Sequence, residues 1–430
     1  MFRPTGFNDL AGKRVGIFGY GIEGRAAAAR LAKHAELVIV DDSADLGPEV
    51  LQTSQGGLEA LAKCDVVLKS PGISPYRPEV ADLSKAVTVT SALNLWMHEI
   101  DRDRVIGVTG TKGKSTTTSL ITFFLNSLGG KAMPLGNIGS PAYDPSIDTN
   151  VDWIVLELSS FQCRDLDIAP SIVAVTSLGA DHLDWHRTVE NYHRDKLSIT
   201  QLSPTPEVFY ASTIESSFFS KNANSVAPDT TQLATALSLV GDHNSQNVAL
   251  ALAVASRATG IEIPGILERI RDVAVEFVPL PGRLTEVNKE VKDGLTIRYI
   301  DDGLATAALP TVAALSSFPS EEIAIILGGF DRGVDYQPLV DALIARRDHT
   351  FVVTMGGAGR RISDLILSAK AQINLAEADD LQNAVEIARR ALSQGGVVLF
   401  SPAAPSFDQY KNWAERSAAF EHFSNQRHRD

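Results

Sequence analysis

Between Val105 and Leu120 the chain reads VIGVTGTKGKSTTTSL, an apolar strand that passes through a glycine- and lysine-rich turn into a Ser/Thr-rich helix start. That order brings several backbone N–H groups and a helix N-terminus to one point, which is how a chain holds phosphate. The general phosphate-loop pattern asks for glycine five places before the Gly-Lys pair, and Val108 stands there. The loop is therefore a shortened one. The N–H groups of Gly110, Thr111, Lys112 and Gly113 can turn inward. Lys114 can reach the β and γ phosphates, and Ser115, followed by Thr116, can offer a hydroxyl to Mg2+.

Around this loop, short β-branched runs alternate with helical stretches. RVGIFG, ELVIVDD and DVVLKSPG form a first block, VIGVTG, DWIVLEL and SIVAVTSL a second, and TIRYIDD, IAIILGG, FVVTMGG and VVLFSPA a third. Such punctuation predicts an α/β fold of three domains, each a largely parallel sheet with flanking helices. The bounds read as 1–102, Rossmann-like; 103–280, a phosphate-loop ATPase; and 281–430, Rossmann-like again. Hinges are expected near Asp101–Arg104 and Pro279–Gly282, the second within the stiff stretch FVPLPGR. A length of 430 residues suits several cores rather than one.

Charge and cysteine usage narrow the setting. A net charge of −13 argues against nucleic acid or an anionic membrane as partner. Two cysteines, Cys64 and Cys163, lie in no metal- or disulfide-like array and fit a reduced compartment. With no bilayer-length apolar run and no signal-like N-terminus, the chain is expected in the cytoplasm.

In such sheets ligands gather at the carboxyl ends of the strands. GYGIEG (Gly19, Gly21, Gly24) follows the first strand, and Asp41 and Asp42 end the next, as in a dinucleotide fingerprint. This predicts a nucleotide-like ligand without separating NAD from another nucleotide diphosphate; the plainer alternative is a turn that only packs a helix. Glu157 closes DWIVLEL, and Asp181, His182 and Asp184 follow SIVAVTSL. Each alone reads as an edge or loop residue; downstream of a phosphate loop they form a candidate divalent-metal site. Asn244 and Asn247 share a helix face and suit either an adenine edge or a helix cap. Lys196, by position alone, is an ordinary solvated lysine.

Taken in order, the short loop, ELSSFQ (157–162), DHLDWH, Lys196 and HNSQN resemble the Mur ligases, and most of all the branch that adds glutamate to UDP-N-acetylmuramoyl-L-alanine. KSPGISP (69–75), GNIGSP (136–141), LGGFDRGVDY (327–336) and SPAAPSFDQYKNWAER (401–416) extend the likeness over essentially the whole chain. The resemblance implies an ATP-dependent ligase of peptidoglycan precursor synthesis, working through an acyl phosphate and acting as a monomer. It makes the loop an ATP loop and turns GYGIEG with Ser70, Pro71 and Gly72 into a UDP site, so the NAD reading falls. It further implies two Mg2+ ions held by Ser115, Glu157, His182 and Lys196, the last as a carbamate. Lys114, Glu157, His182 and Lys196 would be catalytic. ATP would be contacted by Asn244, Asn247, Arg283 and Asp302 as well as by the loop, and the substrate by Asn137, Ser159 and Gln162.

The amino-acid end departs from the family. Thr306, Arg332, Ser406, Phe407 and Trp413 match its glutamate pocket. Yet Asp-Gly-Leu-Ala-Thr (302–306) stands for the usual Asp-Ser-Lys-Ala-Thr, Arg332 for lysine, Trp413 for phenylalanine, and Gly282 for histidine. Lysine to arginine exchanges a point donor for a planar fork. Clustered changes at this end resemble the rarer members that add L-glutamate and lean slightly that way; drift among homologues that all use the commoner D-glutamate is the alternative. Competing readings are a folylpolyglutamate synthase-like ligase, which would lack the first domain, an NAD-dependent oxidoreductase, and a degenerate ligase kept for binding.

Overall fold

Three sheets carry the chain in a computed structural model that describes residues 2–43, 47, 49–227, 230–239, 241–292 and 294–426. The first contains β1 (Arg14–Phe18), β2 (Glu36–Val40), β3 (Val66–Lys69) and β4 (Thr88–Thr90), in the order β2-β1-β3-β4 and all parallel. The second has β5 (Val105–Thr109), β6 (Ala132–Gly136), β7 (Trp153–Glu157), β8 (Ile172–Val175), β9 (Glu207–Ala211) and β10 (Asn224–Val226). Its order is β10-β9-β8-β5-β7-β6, again all parallel. The third holds β11 (Thr285–Lys292), β12 (Leu295–Asp301), β13 (Ile323–Gly328), β14 (Thr350–Met355), β15 (Asn374–Glu377) and β16 (Gly396–Phe400). It runs β11-β12-β16-β13-β14-β15, with only the β11–β12 pair antiparallel.

The central strands are continuous apolar runs because helices cover both faces. Every residue of β5 (VIGVT) and β13 (IAIILG) is buried. Edges are built differently: β11 (TEVNKEVK) is polar and half-exposed, and β6 carries Pro134. Both devices discourage further strand pairing.

Contacts divide the described chain into two units, residues 1–230 with 245–273, and residues 231–244 with 274–430. The first two sheets thus belong to one unit, and the segment expected to hinge at Asp101–Arg104 lies inside it. One apolar core runs from Phe7, Leu95 and Trp96 to Tyr143, Leu158 and Cys163. The Arg102 guanidinium fixes the link by donating to the carbonyls of Ala169 at 2.9 Å and Pro170 at 3.1 Å. Buried polar contacts add to this. Lys69 Nζ lies 2.7 Å from Asp165, Tyr76 donates to Asp195 at 2.7 Å, and Gln162 Nε2 donates to Glu23 at 2.7 Å.

Among the described residues no single helix is long and apolar enough to cross a membrane; the helices Asp242–Thr259 and Ile263–Ile270 pass that test only together, across a 109° bend.

Candidate active site

In the second sheet the strand order reverses at β5 and β8, so the loops after these two strands meet at the switch point. The loop after β5 is the glycine- and lysine-rich turn, and the helix Lys114–Ser127 starts directly from it. Gly110 (φ +145°) and Gly113 (φ +86°) hold conformations that favour glycine. A Cβ on Gly110 would lie 2.0 Å from Thr176 Oγ1, and one on Gly113 2.5 Å from Asn247 Oδ1. The second contact brings Asn247 against the loop, where an ATP contact was expected.

The β8 loop ties the turn down. The Ser177 carbonyl accepts from Thr111 N at 2.9 Å, and its hydroxyl accepts from Lys112 N at 2.8 Å. Thr111 Oγ1 also bonds the Tyr192 hydroxyl at 2.9 Å. Two lysines then converge on one acceptor: Lys114 Nζ donates to the Gly110 carbonyl at 3.1 Å and Lys196 Nζ at 2.8 Å. Lys196 lies on the helix Val189–Leu197 and is buried. Burial, reinforced by the charge of Lys114, pushes its amine down to about 7. The solvated lysine that position alone implied is thus a buried one.

Glu157 ends β7, beside β5, and is buried. Its Oε1 accepts from Asn137 Nδ2 at 3.0 Å, while Oε2 has no hydrogen-bond partner among the described residues. An orphaned buried carboxylate oxygen is costly unless a cation meets it. With the Ser115 hydroxyl at the helix start, it fits a hard divalent ion that takes its remaining ligands from phosphate oxygens. Among the described residues no three His, Cys, Asp or Glu side chains gather into a metal cluster. His182 sits apart from such a set: it is exposed, at left-handed φ 51°, with its ring 5.0 Å from that of Phe161.

One arrangement escaped sequence reasoning. Ser160 Oγ lies 2.8 Å from His186 Nε2, and His186 Nδ1 lies 2.9 Å from Asp195, which also accepts from Tyr76. The order matches a hydrolase triad, but all three side chains are buried, so the serine cannot meet a substrate. It is a structural brace between the helices that carry Ser159 and Lys196. Gln162 is similarly engaged. Its Oε1 accepts from Ser159 N at 2.9 Å in a capping box, and its Nε2 serves Glu23, so the amide expected on substrate is occupied at both ends.

The first sheet reverses between β1 and β3, and GYGIEG and Ser70-Pro71-Gly72 are the loops at that point. Ser70 Oγ donates to the Gly19 carbonyl at 2.7 Å, joining the two. Asp41 accepts from Tyr20 N at 2.6 Å and Ser43 N at 2.8 Å, so it shapes the turn. Gly21 N-caps the helix Ile22–Leu31.

The second unit, by itself, gathers the remaining residues at the carboxyl ends of β12, β13 and β16. Asp302 accepts from Ser401 Oγ at 2.6 Å, and burial pushes its carboxyl up to about 7, although Arg283 pulls the other way. Asp301 accepts from Gly282 N at 2.9 Å, Gly303 N at 2.8 Å and Ser417 Oγ at 3.1 Å. Ser406 is buried, Thr306 and Trp413 are half-buried, and the exposed Arg332 lies 5.9 Å from the Phe407 ring centroid. Asn244 also belongs to this unit, although Asn247 belongs to the first.

Fold and loop together define an α/β protein of three sheets whose second sheet carries a phosphate-binding loop at its switch point. Residues 108–213 match the Mur ligase middle domain. A relative from Micromonospora, the UDP-N-acetylmuramoyl-L-alanine–L-glutamate ligase, is 36% identical with 96% of both chains covered. The protein of that name from Xanthomonas campestris is 34% identical, covering 96% of this chain and 95% of its own. Among solved structures, MurF from Acinetobacter baumannii superposes with a TM-score of 0.57 at 15% identity, over 95% of this chain and 93% of its own. MurC from Thermotoga maritima gives 0.54 at 17%, over 95% and 98%. The chain belongs to the Mur ligase family.

Proposed function

We propose that this protein is an ATP-dependent, ADP-forming ligase that joins glutamate to UDP-N-acetylmuramoyl-L-alanine, and that the glutamate is the L isomer. The observation that carries the ligase reading is the convergence of Lys114 and Lys196 on the Gly110 carbonyl within a glycine loop. The names of the full-length relatives and the changes at Leu304, Arg332 and Trp413 support the L isomer.

The chemistry needs two anions to meet. A carboxylate oxygen of the acceptor attacks the γ phosphorus, ADP leaves, and an acyl phosphate forms. The glutamate amine then attacks the acyl carbon, loses a proton, and phosphate departs. Lys114 and the loop N–H groups hold the transferring phosphate and offset its charge. Asn137 orients Glu157. Ser115 and Glu157 would hold one Mg2+ and His182 the second, and these ions would supply further charge neutralisation. Lys196 suits carbamoylation because a buried amine near neutrality attacks CO2, and the product is an oxygen donor. Asn247 in the first unit, and Asn244, Arg283 and Asp302 in the second, are the further residues assigned to ATP. Gly19, Gly21, Asp41 and the Ser70–Gly72 loop hold the UDP, with Ser159 on the acceptor. Thr306, Arg332, Ser406, Phe407 and Trp413 hold glutamate. In this reading the three domains keep the bounds 1–102, 103–280 and 281–430, and the enzyme works in the cytoplasm, where ATP is made.

The test is phosphate release from ATP with UDP-N-acetylmuramoyl-L-alanine, comparing L- and D-glutamate. Release with L-glutamate alone supports the reading, a preference for D-glutamate refutes the isomer, and no release with either refutes the substrate pair.

A further inference from the structure

Arg416, on the helix Trp413–Ser424, is the largest side chain that the fold buries completely, at 1% exposure. Its guanidinium reaches three segments of the third sheet. Nη2 donates to the Ala404 carbonyl at 2.8 Å and the Gly303 carbonyl at 3.3 Å, and Nη1 approaches the Gly328 carbonyl at 3.5 Å. Gly303 follows β12, Gly328 ends β13 and Ala404 follows β16. These are the three neighbouring strand ends whose loops carry Thr306, Arg332, and Ser406 with Phe407. Trp413 lies three residues before Arg416 on its own helix.

A buried guanidinium persists only where acceptors meet it, and here the acceptors are backbone carbonyls of three separate segments. No carboxylate lies within ion-pair distance of Arg416 among the described residues; Asp408 and Asp301 act on it only from further away. Asp301 already accepts three hydrogen bonds from other groups. Burial lowers the guanidinium only to about 10, so the charge persists at neutral pH. Above it the backbone passes close: a Cβ on Gly329 would lie 2.9 Å from Nη1.

We propose that Arg416 is a positioning residue for the amino acid. Its planar fork fixes the three strand-end loops in one register, and so sets the shape of the pocket those loops form. A fork suits this task because its two Nη atoms stand apart in one rigid plane and reach carbonyls on separate segments, whereas an ammonium donates from a single point. This role rests on the proposed glutamate pocket and adds to it a residue that never touches the substrate.

Arg416→Lys and Arg416→Met separate geometry from charge, with each substrate varied in turn in the full-length enzyme. Relative to wild type, the KM for glutamate should rise about tenfold in R416K and about a hundredfold in R416M. The KM values for ATP and the UDP-linked acceptor should stay within about twofold, and ADP formed in one turnover without glutamate should be unchanged. Equal loss against all three substrates, an unchanged KM for glutamate, or collapse of both variants by near-ultraviolet circular dichroism would each overturn the role. If the wild type releases no phosphate in response to glutamate, the functional reading falls first and takes this role with it. If the wild type ligates and the variants keep its KM, only the role falls.

Discussion

Lys114 and Lys196 share one acceptor, the carbonyl of Gly110, although the first belongs to the phosphate loop and the second to a helix more than eighty residues on. Two ammonium groups on one oxygen repel, and Lys196 yields because it is the more deeply buried. The arrangement stores unfavourable electrostatics at the point where a polyphosphate would relieve it.

Lys196→Met should therefore stabilise the free protein while disabling it. The unfolding midpoint is expected to hold or rise, and phosphate release to fall by at least about a hundredfold. Differential scanning calorimetry beside a phosphate assay checks both. A lower midpoint with retained turnover would mean the lysine is structural.

Glu157→Gln makes the same trade at the other side of the loop. The amide oxygen keeps the hydrogen bond from Asn137, and the neutral nitrogen replaces the unpartnered anionic oxygen. Thermal stability should not fall, whereas the Mg2+ needed for half-maximal activity should rise by about tenfold or more. Titration of activity with Mg2+ reads this directly.

Lys69 and Asp165 form a buried pair between the first two sheets, with side chains only 4% and 11% exposed. Lys69→Met alone strands the carboxylate and should cost about 3 kcal/mol, while Lys69→Met with Asp165→Leu should recover most of it. Urea unfolding of the four proteins closes the cycle; additive losses would show that the pair does not interact.

Asp302 should shape the pH dependence of stability. Its folded carboxyl titrates near 7, above the unfolded value of about 4. The contribution is therefore complete below pH about 4 and is lost as pH rises through about 7. Asp302→Asn should flatten the unfolding midpoint across that window relative to wild type. An unchanged slope would place the titration elsewhere.

Much of the fold was legible because its central strands are unbroken apolar runs ending in Gly, Asp or Ser. The edges were not. TEVNKEVK carries too much charge to read as a strand, and AMPLG contains a proline, so β11 and β6 went unseen beside the clearer runs. The phosphate loop and Glu157 were visible because strand, turn and helix spacing reports them. Lys196 entered by resemblance alone, since burial is a tertiary property and the helix around it is mostly polar. The His186–Asp195 brace and Arg416 share that cause: each joins segments whose meeting no local pattern announces. Gln162 illustrates the converse, a residue marked for substrate by its motif whose amide the fold had already engaged.

Gly303 carries a consequence for what its neighbours tolerate. A side chain there would place Cβ 2.3 Å from Ser417 Oγ and 2.9 Å from Asp301 Oδ1. A serine at this position is therefore crowded as long as Ser417 keeps its hydroxyl on Asp301, and fits only if that hydroxyl turns away. The two positions are coupled: what position 303 can carry depends on where the Ser417 hydroxyl points.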